Sequence, residues 1–315
     1  MVGVTHAPVL LRETLDLLQP RPGGTYVDGT LGGGGHAEAI LEQSSPGGRL
    51  LGLDLDPEAL ERATERLKRF DDRVTIVHES FANIERAVRW YGFAPADGIV
   101  LDLGLSSFQL AHAKRGFGFR TAAPLDMRFN PLQATPTARD LVNKLDLHEI
   151  ANVLRRFGEE PMAKVIAKAI VRQRERKPIE TTTELAELVE RAVGRRRGKI
   201  HPATRTFQAL RIAVNRELEA LESALPGAIE VLSTGGRFVV ISFHSLEDRI
   251  VKRFFVDQAA TCICPPGLPV CVCGKKPTVK ILTRHGIRPT PEEVARNPRS
   301  RSAILRAVEK LPEHV

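Results

Sequence analysis

The 315-residue chain is 42% hydrophobic and 27% charged, which is ordinary for a globular protein and long enough for a large domain with a real core plus a smaller one. Its 46 Lys and Arg against 38 Asp and Glu leave a formal charge of +8, which favours an anionic partner, nucleic acid first. No stretch is apolar for long enough to span a bilayer, and Arg12, Glu13 and Asp16 interrupt the first apolar run, so no signal peptide or membrane contact is expected and the location expected is cytoplasmic.

Strand and helix alternate from Thr25 to Leu103. "TYVD" reads as a short strand ending at Asp28, and "HAEAILEQ" as the helix after it. "RLLGLDLD" is a second strand, followed by Asp56 as N-cap and Pro57 as first residue of the helix "PEALERATERLKRF". "RVTIVH" and "DGIVLDLG" are the third and fourth strands, with helical "FANIERAVRWY" between them. This alternation predicts an α/β fold, a parallel sheet with helices on both faces, and a ligand beyond the carboxyl ends of the strands. After Gly104 the alternation stops for about a hundred residues, longer than any ordinary connection. The irregular loop "GFGFRTAAPLDMRFNPLQATP" precedes three segments with helical apolar spacing, "LHEIANVLRRFG", "EPMAKVIAKAIVRQRERK" and "TTELAELVERAVG". A long helix after Pro202 and the strand "GGRFVVISFH" resume the alternation. "TVKILTRHG" and "SRSAILRAVEK" add two short strands, expected to pair antiparallel at the sheet edge. The reading is one α/β domain, residues 1–107 and 202–315, carrying an all-helical insertion at 108–201.

Four successive glycines, Gly32 to Gly35, follow the first strand in "DGTLGGGGHAEAI", a run that serves close approach of a ligand to the backbone. No Lys follows them as a P-loop requires, so the triphosphate reading is poor, whereas Gly32, Gly34 and Ala37 with Asp54 do fit the dinucleotide spacing. Asp28 weighs against a dinucleotide, because a carboxylate is repelled by a pyrophosphate and attracted by a cation. S-Adenosyl-L-methionine carries a sulfonium and an ammonium and no phosphate. Asp28 suits its methionine half, Asp54 its ribose hydroxyls and Phe81 its adenine, and Asp102 adds an acid at the fourth strand tip. Any one of these also reads as a turn residue at a strand end; in register with the glycines, that reading loses force.

The stretches "HAPVLLRETLDLL", "DGTLGGGGHAEAIL", "LDLGLSSFQL", "RGFGFRTAAPLDMR", "HPATRTFQALRIAVN", "GGRFVVISFHSLEDRIVKRFF" and "NPRSRSAILRAVE" span nearly the whole chain. Together they closely resemble the bacterial 16S ribosomal RNA cytosine-N4 methyltransferases. The resemblance implies a Rossmann-like class I methyltransferase sheet with an inserted helical domain, S-adenosyl-L-methionine as methyl donor, and a decoding-centre cytosine of the small (30S) subunit, near the P-site, as acceptor. It implies cofactor roles for Gly34, Gly35, His36, Asp54, Phe81, Asp102 and Gln109, which Asp28 joins on the strand-tip argument. Dimerisation is left open.

Such a reaction asks the protein mainly to position the amine and accept its hydrogens, since the leaving group is neutral. The place after the fourth strand, where many amino-methyltransferases carry prolines and an aromatic, reads "DLGLSS" here. Asp102, Ser106 and Ser107 are the candidate acceptors. His244, at the end of the fifth strand, is a candidate for the released proton or for orienting the base, and equally reads as a histidine bonded to a neighbouring carbonyl. An extruded cytosine needs a clamp, for which Phe117, Arg120, Asp126 and Arg128 are candidates, with packing the alternative for the phenylalanine. The basic run Arg195, Arg196, Arg197 and Lys199, with Arg205, is read as a phosphate contact.

Cys262, Cys264, Cys271 and Cys273 lie outside the shared stretches. Two Cys-x-Cys pairs across a Pro-Gly turn could hold a structural zinc, although most zinc sites use the wider Cys-x-x-Cys bite, and free thiols in a loop are the alternative. No catalytic metal is expected. Two rivals stand beside this reading: an NAD-dependent dehydrogenase using the dinucleotide match, and an RNA-binding assembly factor with a vestigial cofactor fold.

Overall fold

The computed structural model of the chain describes residues 8–194, 201–264 and 273–312, without the side chains at 107, 111 and 113. In chain order, α1 (Leu11–Leu18) precedes β1 (Thr25–Asp28), α2 (Gly35–Gln43), β2 (Arg49–Asp54), α3 (Pro57–Leu67), β3 (Val74–His78), α4 (Ile84–Trp90) and β4 (Ala96–Asp102). A helical run follows: α5 (Ser107–Ala111), α6 (Ala138–Lys144), α7 (Leu147–Gly158), α8 (Ala163–Arg174), α9 (Thr182–Val193), α10 (Thr204–Asn215) and α11 (Glu217–Val231). The chain then returns through β5 (Leu232–Ser242), α12 (Ser245–Ala259), β6 (Val279–Ile281), α13 (Pro291–Arg296) and β7 (Ile304–Lys310).

The seven strands form one sheet in the order β3-β2-β1-β4-β5-β7-β6. The first five are parallel, and β7 runs antiparallel to both β5 and β6, as the two edge strands read from sequence require. Parallel strands are covered on both faces, so they read as continuous apolar runs. Ile99, Val100 and Leu101 of β4 are all fully buried, and successive residues serve opposite cores. On one face Val27, Ile99, Leu101 and Val240 pack with Ile84 and Val88 of α4, Leu225 of α11 and Phe255 of α12. On the other, Tyr26, Leu50, Val100 and Ile241 pack with Leu18 of α1, Ile40 and Leu41 of α2 and Leu67 of α3.

The chain divides into two compact units, Met1–Gly104 with Glu219–Val315, and Leu105–Leu218. The second unit therefore extends past the return expected at residue 202, and α10 belongs to it. Glycine at 158 lets α10 close on α7, since a Cβ there would stand 2.6 Å from the Arg205 carbonyl oxygen. Gln208 Nε2 adds a 3.1 Å bond to the Phe157 carbonyl. The single long helix expected after Pro202 is two, because Arg216 takes φ 51° and ends α10. Within the helical unit, reciprocal caps start α6 (Thr137 with Asp140), α7 (Asp146 with Glu149) and α9 (Thr181 with Glu184).

Candidate active site at the strand tips

β2, β1 and β4 are neighbours in the sheet and end in Asp54, Asp28 and Asp102, so three acids stand side by side on its carboxyl edge. The backbone leaving β1 is tied to both neighbours, Gly29 N to the Val100 carbonyl at 3.0 Å and Leu31 N to the Leu53 carbonyl at 2.9 Å. Gly34 closes the turn at φ 78°, a left-handed conformation open to glycine, and donates to the Leu31 carbonyl at 2.8 Å. Asp54 clamps this loop from β2: Oδ2 accepts from Gly32 N at 2.7 Å and Oδ1 from Asp56 N at 2.9 Å. Two residues missed at the sequence level complete the frame. Thr30 donates its N–H to Asp28 Oδ1 at 3.1 Å while its hydroxyl accepts from Asp102 N at 2.6 Å, and Arg66 Nη1 bonds the Gly33 carbonyl at 3.1 Å. The only signal for Thr30 was the "DGT" tripeptide; Arg66 sits in α3 with no local mark.

Among the described residues, no lysine or arginine pairs with the three acids. Asp28 is 1% exposed, and burial, with the nearby Asp54 charge, lifts its carboxyl from 3.8 to about 7 against the Thr30 hydrogen bonds. Burial likewise raises Asp54 despite the N–H groups of Asp56 and Gly32. Asp102 is pushed well above the usual carboxylate range by burial, then by Asp28 and Glu247. Among the described residues its buried Oδ1 has no hydrogen-bond partner, while Oδ2 lies 3.7 Å from Nδ1 of His36. His36 is 5% exposed in the first turn of α2, with Nε2 3.1 Å from the Val9 carbonyl. A carbonyl only accepts, so Nε2 carries hydrogen and Nδ1 faces Asp102. Phe81, in a 3-10 turn after β3, is half-buried beside the loop, its Cβ 3.3 Å from where a Gly29 Cβ would stand.

His244 is the N-cap of α12: Nδ1 accepts from Glu247 N at 3.4 Å, and Glu247 Oε2 accepts from the N–H groups of Phe243 and His244 at 2.8 and 3.3 Å. The partner is a helix terminus rather than the carbonyl weighed from sequence. Asp248 in the next position forms a bidentate pair with Arg306 of β7, Nε to Oδ1 at 2.7 Å and Nη2 to Oδ2 at 3.1 Å, so "HSLEDR" seats α12 on the sheet.

In the helical unit, Ser106 and Gln109 cap α5 reciprocally, Gln109 N donating to Ser106 Oγ at 3.1 Å and Ser106 N to Gln109 Oε1 at 3.0 Å. Ser107 is the first residue of that helix. Phe117 is 6% exposed and stacks on Phe129 with centroids 5.7 Å apart, so it packs its own loop and presents no open face for a base. Asp126 and Arg128 satisfy one another in a bidentate pair at 2.8 and 2.7 Å, and Arg128 Nη1 also bonds the Gln133 carbonyl at 2.6 Å. Their charges are spent inside the loop. Arg115 fastens the same loop to itself through the Arg128 and Phe129 carbonyls, and Asn215 at the end of α10 holds Met127 O and Phe129 N at 2.7 Å each. Arg120 is exposed, as is Arg205, whose Nη1 reaches the Glu159 carbonyl at 3.2 Å. Arg195, Arg196, Arg197 and Lys199 lie outside the described residues.

Residues 3–311 match the MraW methylase family. The chain belongs to that family. Among its relatives, a ribosomal RNA small subunit methyltransferase H of Thermomicrobium roseum is 55% identical over 310 residues, 98% of this chain and 95% of that one. A protein of the same name from Pelobacter propionicus is 54% identical over 314 residues, 99% of this chain and all of the other. A solved rRNA methylase from Streptococcus thermophilus aligns over 99% of both chains at 11% identity with a TM-score of 0.43, too distant to add to the sheet order above. As a family member the protein is a methyltransferase using S-adenosyl-L-methionine. The residues present fit that cofactor. Asp102 Oδ1 is a buried acceptor with no donor among the described residues, Asp28 is an acid in need of a cation, and Gly34 brings no side-chain cap to α2, so the first-turn N–H groups suit a carboxylate.

Proposed function

We propose that the protein methylates the exocyclic N4 of cytosine 1402 in 16S rRNA, within the decoding centre of the small (30S) subunit. One observation carries the acceptor: identity above half over nearly the full length to proteins named for small-subunit ribosomal RNA methylation. When bound, the sulfonium of S-adenosyl-L-methionine supplies an electrophilic methyl group and leaves as a neutral thioether. The chain's own residues do the rest. Asp28 answers the positive charge of the methionine half, the N-terminus of α2 at Gly34, Gly35 and His36 takes its carboxylate, Asp54 takes the ribose hydroxyls, and Phe81 walls the adenine.

Cytosine N4 is a poor nucleophile because its lone pair is delocalised into the ring. Asp102 Oδ1 accepts one amine hydrogen, which favours pyramidal nitrogen and directs the lone pair along the transfer axis. Its raised affinity for protons makes the Asp102–His36 pair the acceptor of the proton released, with His36 held in one tautomer by the Val9 carbonyl. Gln109 and the hydroxyls of Ser106 and Ser107 assist in orienting cofactor and base, and His244 acts as a positioning residue, since Nδ1 is committed to the cap of α12. Arg195, Arg196, Arg197, Lys199, Arg205 and Arg120 supply phosphate contacts for an extruded base. Transfer of labelled methyl to small subunits from cells lacking the enzyme, followed by nucleoside analysis, tests the reading. N4-methylcytidine is the expected product; 5-methylcytidine, or no label, refutes it.

A further inference from the structure

Cys262, Cys264 and Cys273 have no part in the reaction above, yet their sulfurs converge in the loop between α12 and β6. All three Sγ atoms lie within 4.8 Å of one another, and those of Cys262 and Cys273 are 3.9 Å apart. The N–H of Cys264 points at Sγ of Cys262 at 3.3 Å, and the N–H of Ile263 at Sγ of Cys273 at 3.4 Å.

The spacing discriminates between a bond and a shared ion. A disulfide requires sulfurs about 2.05 Å apart. Around a tetrahedral zinc, with bonds of about 2.3 Å, two sulfurs stand about 3.8 Å apart. The observed 3.9 Å matches the second case. The narrow Cys-x-Cys bite is no obstacle, because Cys273 comes from the opposite arm of the loop, ten residues after Ile263. In the described part of the loop, Ile263 is 65% exposed and Cys262 is exposed. Its stem is tied where Thr278 N and Oγ1 bond Gln258 O and Oε1 at 2.9 and 2.7 Å.

We propose that Cys262, Cys264 and Cys273 bind a structural zinc ion that closes this loop. The sequence supplies a further thiol at Cys271, which lies outside the described residues. Elemental analysis of the full-length, untagged protein, purified without chelator, should find about one zinc per chain. Cobalt in its place should show the sulfur-to-metal charge-transfer absorption of tetrahedral thiolate. The C262S/C273S variant should lose the metal while binding S-adenosyl-L-methionine as the parent does. Should that variant fail to fold, chelation of the parent provides the same test, with new proteolytic cleavage expected between Gln258 and Thr278. Metal-free protein after growth in zinc, with every thiol open to titration, overturns the proposal, and so does an intact mass lighter by two hydrogens, which marks a disulfide.

Discussion

In the sheet unit Asp28, Asp54 and Asp102 all hold their protons more tightly than ordinary carboxylates, whereas in the helical unit Asp126, Asp140 and Glu184 all hold theirs less tightly. Burial is the leading cause at the strand tips, whereas at Asp140 and Glu184 hydrogen bonds to lysine lead. Lys144, with the Thr137 cap, lowers Asp140, and Lys177 lowers Glu184. Burial works against Asp126 too, but its bonds to Arg128 outweigh it. The strand-tip acids have backbone N–H groups, one another and His36 beside Asp102, and among the described residues no arginine or lysine pairs with them. A compensated acid is already serving the fold; an uncompensated one is held ready for a ligand of opposite charge.

The largest expected effect breaks this contrast at Asp28. Replacing one partner of a buried charge pair costs about 3–5 kcal/mol, so D28N should weaken S-adenosyl-L-methionine about 100-fold or more by calorimetry. The same change should raise the melting temperature of the ligand-free protein, since it removes an uncompensated buried charge and leaves the Thr30 N–H an acceptor. A variant that binds normally would sink the assignment.

A smaller effect follows from pH in the unaltered protein. Asp28 has a folded pKa of about 7 against 3.8 for the free side chain, so the folded state holds a proton that the unfolded chain releases between those values. The ligand-free protein therefore loses stability from this group as pH rises through that window. Binding of a cationic cofactor needs the ionised form, so its affinity should fall below pH about 7, by at most about tenfold per unit for one group. Titration of the dissociation constant between pH 5.5 and 8 checks the sign (range set by ~1.5 units below and ~1 above the expected midpoint).

The smallest effect lies in the helical unit and sharpens the contrast from the other side. R128A removes charged hydrogen bonds from Asp126, at a cost of about 2 kcal/mol. Chemical denaturation should show that loss with cofactor affinity unchanged. A change in cofactor affinity comparable to that of D28N would erase the distinction between the two kinds of acid.

Much of the site was legible because a parallel sheet places every strand's carboxyl end on one edge. Reading Asp28, Asp54 and Asp102 as strand-final residues was enough to bring them together, and the glycines between β1 and α2 marked where a ligand approaches. The clamp was harder to read. Phe117, Asp126 and Arg128 have the residue types of a base-binding loop, but whether a ring or a charge is free depends on partners that local sequence does not show. Asn215 lies 88 residues from the Met127 carbonyl it holds. His244 and Ser106, read as chemistry from their place after strands, also cap helices, and the Ser-x-x-Gln and His-x-x-Glu spacings were the signals for that.

The sequence by itself determined the alternating α/β frame, the glycine turn and the acids at its tips, since these follow from local periodicity, backbone freedom and strand direction. Tertiary structure alone decided which charges remained unpaired, that α10 packs with the helical unit, and that three thiols meet at one point. Those outcomes depend on contacts between residues far apart in the chain, where pairing and burial are settled by packing and not by neighbours in sequence.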